Sequence, residues 1–186
     1  METDFSWTVD AILSRIPKTA ATAGCGTTED GTQYWYQNGV LHRDENDLPA
    51  LILANTGDLG WYQHGVLHRE GDRPAVVFAN GKKQKWYRRG LVHRDGDLPA
   101  CIIILEATGE WQEWWKDGKR HREGDTPAIT DGKGKQKWWY KDGKHHRDGD
   151  MPASIEAHSR WWYKDGKCHR DGDLPAVEWE GGTRWW

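Results

Sequence analysis

Six times along the chain a histidine is followed at once by an arginine and then an acid: His42-Arg43-Asp44, His68-Arg69-Glu70, His93-Arg94-Asp95, His121-Arg122-Glu123, His146-Arg147-Asp148 and His169-Arg170-Asp171. A second acid (Asp47, Asp72, Asp97, Asp125, Asp150, Asp173) stands two residues before a Pro-Ala pair each time. An imidazole, a guanidinium and two carboxylates in so short a stretch could act as a general base, an anion clamp or metal ligands. Copy number argues against all three. An active site needs one preorganised constellation in a pocket that excludes water, whereas a residue present once per repeat stacks on its own copies as a ladder. The expectation is that each His bonds the backbone of a neighbouring hairpin and each Arg pairs with an Asp of its own or the adjacent loop. No catalytic residue, metal or cofactor is expected. One His plus hard carboxylates per unit is short of the three or four ligands zinc takes. His64, His145 and His158, with Cys168 beside His169, lie off the ladder, and no P-loop, H-E-x-x-H or Ser/His/Asp order stands out.

The elements that must hold these groups also recur. Gly39, Gly65, Gly90, Gly118, Gly143 and Gly166 each precede the His by three residues, at spacings of 26, 25, 28, 25 and 23. Asn38-Gly39 and the Asp-Gly pairs at 117–118, 142–143 and 165–166 suit the positive-φ positions of a tight hairpin turn. Before each turn runs an aromatic, strand-like stretch such as Lys137-Trp138-Trp139-Tyr140-Lys141. Arg-Asp-Gly-Asp-x-Pro is a second turn signal, after which Pro-Ala opens another strand. Only the first repeat departs, with Glu45-Asn46 where the others have one Gly. The expected fold is all-β: an elongated antiparallel meander, or solenoid, of six β-hairpin repeats over residues 34–186. Trp185-Trp186 would open a partial seventh unit and close the sixth hairpin. Trp35, Trp61, Trp86, Trp114 or Trp115, Trp139 and Trp162 would form a core ladder.

The run Trp-Tyr-Lys-Asp-Gly-Lys-x-His-Arg-Asp-Gly-Asp resembles the MORN repeat. The shared part is Trp, Gly four positions on (Trp35/Gly39 through Trp162/Gly166) and His three further (His42 through His169). Arg stands where that family has Gly after His, and Asp-x-Pro-Ala is added. The resemblance covers residues 34–186 and implies a hairpin array used for protein association, sometimes near membranes. Such His-Arg arrays also resemble proteins of large DNA viruses and phages, which would place the chain in a host cytoplasm or a virion.

Fourteen Trp and 22 Gly against two Phe make aromatic mass the substitute for a Leu/Ile core. Three scattered cysteines fit a reducing, cytoplasmic setting rather than a disulfide framework, and no 18-residue apolar run or signal peptide is visible. Net charge is −3, which makes nucleic acid an improbable partner.

The halves differ. Apolar pairs precede the His in repeats 1–3 (Val40-Leu41, Val66-Leu67, Leu91-Val92), where repeats 4–6 have Lys119-Arg120, Lys144-His145 and Lys167-Cys168. An apolar stripe is costly to leave wet. Val9, Ile12, Leu13 and Ile16 have the spacing of one helical face, Thr8 can cap it and Pro17 can end it. Residues 1–17 are therefore expected to carry a short helix that caps the stripe or the first hairpin, with 18–33 as a small, polar, Gly-rich linker. Doubled Trp occurs only in repeats 4–6, and strand alternation turns one of each pair to the outer face. Trp114, Trp138 and Trp161, with Lys116, Lys141 and Lys164, are the candidate partner-binding residues. The expected function is a non-enzymatic scaffold for an unidentified protein partner, with homodimerisation through a terminal edge or the N-terminal helix as a further route. Peripheral binding of anionic lipid or phosphate ligands is the alternative. It is weakened because residues 114–186 hold 15 Lys/Arg against 13 Asp/Glu, a balance of only +2.

Overall fold

The computed structural model of the chain describes residues 12–16, 23–78, 81–107 and 109–186. These form two compact units, Met1–Leu91 and Val92–Trp186. Each is an antiparallel meander in which successive long-sheet strands are neighbours. The first holds Ala23–Thr27, Gln33–Gln37, Leu51–Ile52, Leu59–Gly60, Val76–Phe78 and Lys83–Lys85. The second holds Cys101–Leu105, Gly109–Glu113, Ile129–Thr130, Lys137–Trp138, Ser154–Ile155, Ser159–Trp161, Val177–Trp179 and Arg184–Trp185. The last of these closes the sixth unit through Trp185 opposite Val177.

The repeat is more finely divided than two strands. In repeats 2–6 a side hairpin of two-residue strands stands beside the long-sheet strands, as in Tyr140–Lys141 with Lys144–His145, whereas in the first Val40–Leu41 pairs directly with Gln33–Gln37. The break falls at the recurring Trp, whose backbone serves two partners. The N–H of Trp139 donates to the carbonyl of Ala153, at the end of its own repeat, at 2.8 Å, and its own carbonyl accepts from His146 N–H at 3.1 Å. Trp35, Trp61, Trp114 and Trp162 repeat the pattern. A strand pairing outward up to the Trp and inward after it must bend there. Each of these hairpins closes on two residues of positive φ, from Asn38 (50°) and Gly39 (77°) to Asp165 (51°) and Gly166 (85°). Both central residues are positive, as a type I′ turn requires. His64 and Arg89 adopt this conformation too, although neither residue type advertises it.

The bends enclose the core. Trp61, Trp86, Trp114, Trp139 and Trp162 are each 6–8 % exposed, and the alanines of the six Pro-Ala pairs are buried beside them. Trp114, expected at a partner surface, belongs to this buried ladder. Its distance of four residues from Gly118 matches Trp139/Gly143 and Trp162/Gly166.

The N-terminal region departs from expectation in two ways. The expected helix is not seen as a complete element: among the described residues only Ile12 and Leu13 are α-helical, and Glu45–Asp47 form a 3-10 turn. Of the span 8–16, residues 8–11 lie outside the described residues, and Ile12–Ile16 make a single turn closed by Arg15 N–H to the Ile12 carbonyl at 2.9 Å. That turn is nonetheless packed: Ile12 and Ile16 are 2 % exposed in one cluster with Tyr34, Leu41, Leu51 and Tyr62, flanked by Leu13 and Leu67. Strand alternation divides the expected apolar stripe, so Leu41 and Leu67 enter this cluster while Val66 and Leu91 stay exposed. Second, Ala23–Thr27, within the stretch read as linker, is a full strand paired along its length with Gln33–Gln37. Its glycines are there for close approach. A Cβ on Gly24 or Gly26 would overlap the rings of Tyr36 and Tyr34, which lie across them.

Candidate functional site

The His-Arg-acid set sits in the loop that joins each side hairpin to the next long-sheet strand, and nearly every polar atom in it is engaged. Arg147 shows the plan. Its Nε and Nη2 donate to the two carboxylate oxygens of Asp125, one repeat back, at 2.6 and 2.8 Å. Its Nη1 donates to the carbonyl of Pro152 at 3.1 Å, and its guanidinium lies 3.9 Å over the Trp139 ring. Arg69, Arg122 and Arg170 make the same fork to Asp47, Asp97 and Asp150 and the same stack on Trp61, Trp114 and Trp162. Arg94 donates to Pro99 likewise. Arg43, in the first repeat, keeps the Pro49 bond and the Trp35 stack, but its Nε has no hydrogen-bond partner. The forks hold the carboxyls of Asp47, Asp97, Asp125 and Asp150 below the usual range, hydrogen bonding from the arginine being the chief cause.

The histidines point the other way along the array. Nδ1 of His42, His68, His93, His121 and His146 accepts the backbone N–H of residue 64, 89, 117, 142 or 165, in the type I′ turn of the following repeat, at 3.0–3.4 Å. Nε2 faces the acid two residues on, at 2.8–3.1 Å in all six. For His42 and His121 that oxygen lies off the N–H direction. A backbone N–H donating to Nδ1 favours the Nε2–H tautomer, while the carboxylates of Asp117, Asp142 and Asp165 also lie 3.0–3.4 Å from Nδ1 of His93, His121 and His146. Among the described residues no group of three or more His, Cys, Asp or Glu is arranged to hold a metal ion.

Aromatic surface lies elsewhere. In the second unit the cross-strand register runs Glu113, Ile129, Trp138, Ser154, Trp161, Val177, Trp185 along one face and Gln112, Thr130, Lys137, Ile155, Arg160, Glu178, Arg184 along the other. The first is aromatic and the second polar. Residues two apart across the ladder Trp point to the same side, so Trp115, Tyr140 and Tyr163 join Trp138 and Trp161. Trp111 packs on Trp138 at 5.1 Å, Trp161 meets Trp179 edge-on at 5.4 Å, and His145 lies between Tyr140 (4.0 Å) and Tyr163 (4.8 Å). Burial, then Arg120, push the His145 imidazole below its ordinary pKa. Glu113 gathers Trp111 Nε1, Trp115 Nε1 and Arg120 Nε at 3.0, 2.9 and 3.3 Å.

Of the candidate binding residues, Trp138 and Trp161 therefore lie half-buried on the aromatic face and Trp114 is buried. Lys116, Lys141 and Lys164 are exposed but turn to the loop acids Glu123, Asp148 and Asp171 of their own repeats, at 2.8, 3.6 and 2.9 Å. The lysines and the outer tryptophans do not converge. Missing from the expected set are Trp111, Trp115, Tyr140, Tyr163 and Glu113. A signal for three of them was present, since the residue after the ladder Trp is Tyr or Trp in every repeat. No family model matches the chain, and no curated protein matches it. No helix among the described residues is long and apolar enough to cross a membrane.

Proposed function

We propose that this protein is a MORN-like, non-enzymatic repeat scaffold that associates with a protein partner through the aromatic face of repeats 4–6. One contrast carries the reading. The residues best suited to chemistry are spent on bonds between repeats, whereas a set of half-buried indoles and phenols shares one sheet face. Aromatic side chains of that kind dominate the energetics of protein interfaces. Attachment to anionic lipid or phosphate is less well supported, because Lys116, Lys141 and Lys164 already have carboxylate partners. The test is affinity capture from the source cell with the intact chain and with the W138A/W161A double variant, beside flotation with anionic liposomes. The scaffold reading expects a partner protein retained by the intact chain and lost by the variant, with no flotation. Equal recovery of every captured protein by both forms contradicts it.

A further inference from the structure

The first unit displays what the corresponding face accepts. Position for position, Tyr34 and Gly60 precede the ladder Trp where Trp138 and Trp161 do in repeats 5 and 6. Tyr36 and Tyr62 follow it where Tyr140 and Tyr163 do, and Leu41 and Leu67 stand where His145 and Cys168 do. In the first unit Tyr34, Leu41 and Tyr62, flanked by Tyr36 and Leu67, share one cluster with the turn Ile12–Ile16, whose two isoleucines are nearly inaccessible. We propose that the aromatic face of the second unit docks a helical turn of a partner polypeptide carrying branched aliphatic side chains at positions i and i+4, as Ile12 and Ile16 are carried in this chain. The inference rests on the reading of repeats 4–6 as the association surface and adds the chemistry of what binds there.

The polar groups of the face favour this occupant over an anionic one. Its indole N–H donors are taken: Trp111 and Trp115 by Glu113, Trp138 by Glu156 at 3.4 Å and Trp161 by Ser159 at 2.9 Å. Arg120 is held by Glu113 and lies over the rings of Trp115 and Tyr140. Two carboxylates, beside four indole donors already bonded, offer little to a phosphate or nucleic-acid backbone. Ring faces offer a good deal to aliphatic carbon. Trp138 and Trp161 are larger than the residues they replace, so the incoming side chains would rest on the rings rather than insert between them.

The experiment follows the indole N–H signals of the uniformly ¹⁵N-labelled full chain, assigned with single Trp→Phe variants, during titration with an unlabelled peptide of residues 5–17 of this chain. Saturable shifts at Trp138 and Trp161, with the buried Trp114, Trp139 and Trp162 unmoved, support the proposal. So does weakening by about fivefold or more in Y140A/Y163A, as expected for loss of aromatic anchors. A peptide carrying I12D and I16D should leave the spectrum unchanged. Shifts confined to Trp35 and Trp61, equal shifts from the aspartate peptide, or no shift at all overturn it. If a single-stranded oligonucleotide or phosphatidylserine vesicles move Trp138 and Trp161 and the peptide does not, the occupant proposed is wrong while the face remains a binding surface. The surface itself fails only if the capture experiment finds W138A/W161A equivalent to the intact chain.

Discussion

Replacing Arg147 with alanine removes three interactions at once, and the geometry sets the expected cost. The Arg147 side chain is only 9 % exposed, whereas its partner Asp125 is 63 % exposed. A hydrogen bond to a charged group contributes about 1.5–3 kcal/mol. The exposure of Asp125 places the fork at the low end, since that carboxylate returns to water cheaply. The stack on Trp139 adds about 1 kcal/mol, and the Pro152 carbonyl loses its donor. R147A should therefore destabilise the fold by about 3 kcal/mol, which at about 2–4 °C per kcal/mol for a chain of this size lowers Tm by about 6–12 °C. D125A should cost less, about 1–2 kcal/mol, because Arg147 keeps the ring and the Pro152 bond. R147K should fall between them, retaining the charge without the planar fork. Urea unfolding followed by tryptophan fluorescence and circular dichroism measures all three. R147A within about 0.5 kcal/mol of wild type, the range of an unremarkable surface change, would refute the reasoning, as would a D125A variant less stable than R147A.

Acid should loosen the array through the same pairs. The carboxyls of Asp47, Asp97, Asp125 and Asp150 are lowered in the folded state, so their contribution is complete above the unfolded value of about 4 and is lost as pH falls through the folded values. Tm measured from pH 5 to 2 should drop, and D97N/D125N should flatten the profile; an unchanged slope counts against the pairs. W139A, in the buried ladder, should cost about 3–5 kcal/mol, and W138A, on the half-buried outer face, distinctly less. Similar losses in chemical denaturation would mean the two positions had been assigned to the wrong sides. I16D places a charge in the cluster with Leu41 and Leu51 and should cost about 3 kcal/mol or more. It should also expose apolar surface to the dye ANS, and an unaltered Tm with no dye binding would show that the N-terminal turn covers nothing.

The repeat, its turns and the inter-repeat role of His and Arg were legible because six copies sample one geometry. A spacing that survives every copy marks a position, and Gly four residues after the ladder Trp identifies Trp114 as buried once that rule is applied strictly. The bend at the ladder Trp was harder to see. It depends on one backbone unit serving two partners, which residue type does not encode; alternation alone puts Trp138 and Tyr140 on a common face but cannot say which face is open. Ala23–Thr27 was hidden for another reason. Gly24 and Gly26 read as flexibility in one dimension, and only the rings of Tyr34 and Tyr36 lying over them show that the glycines make room. Proximity in sequence to a Trp likewise says nothing of the acid seven residues on that Lys116, Lys141 and Lys164 each reach.

That the His-Arg-acid signature joins repeats rather than performing chemistry is most directly tested by the tautomers of the ladder imidazoles. Long-range ¹H–¹⁵N correlation at neutral pH distinguishes the two ring nitrogens. His93, His121 and His146 should each show a protonated Nε2 and an unprotonated Nδ1, the latter accepting the amides of Asp117, Asp142 and Asp165, and those turn amides should exchange slowly with solvent. Nδ1–H tautomers, or rings averaging between both forms beside fast-exchanging turn amides, would contradict the account.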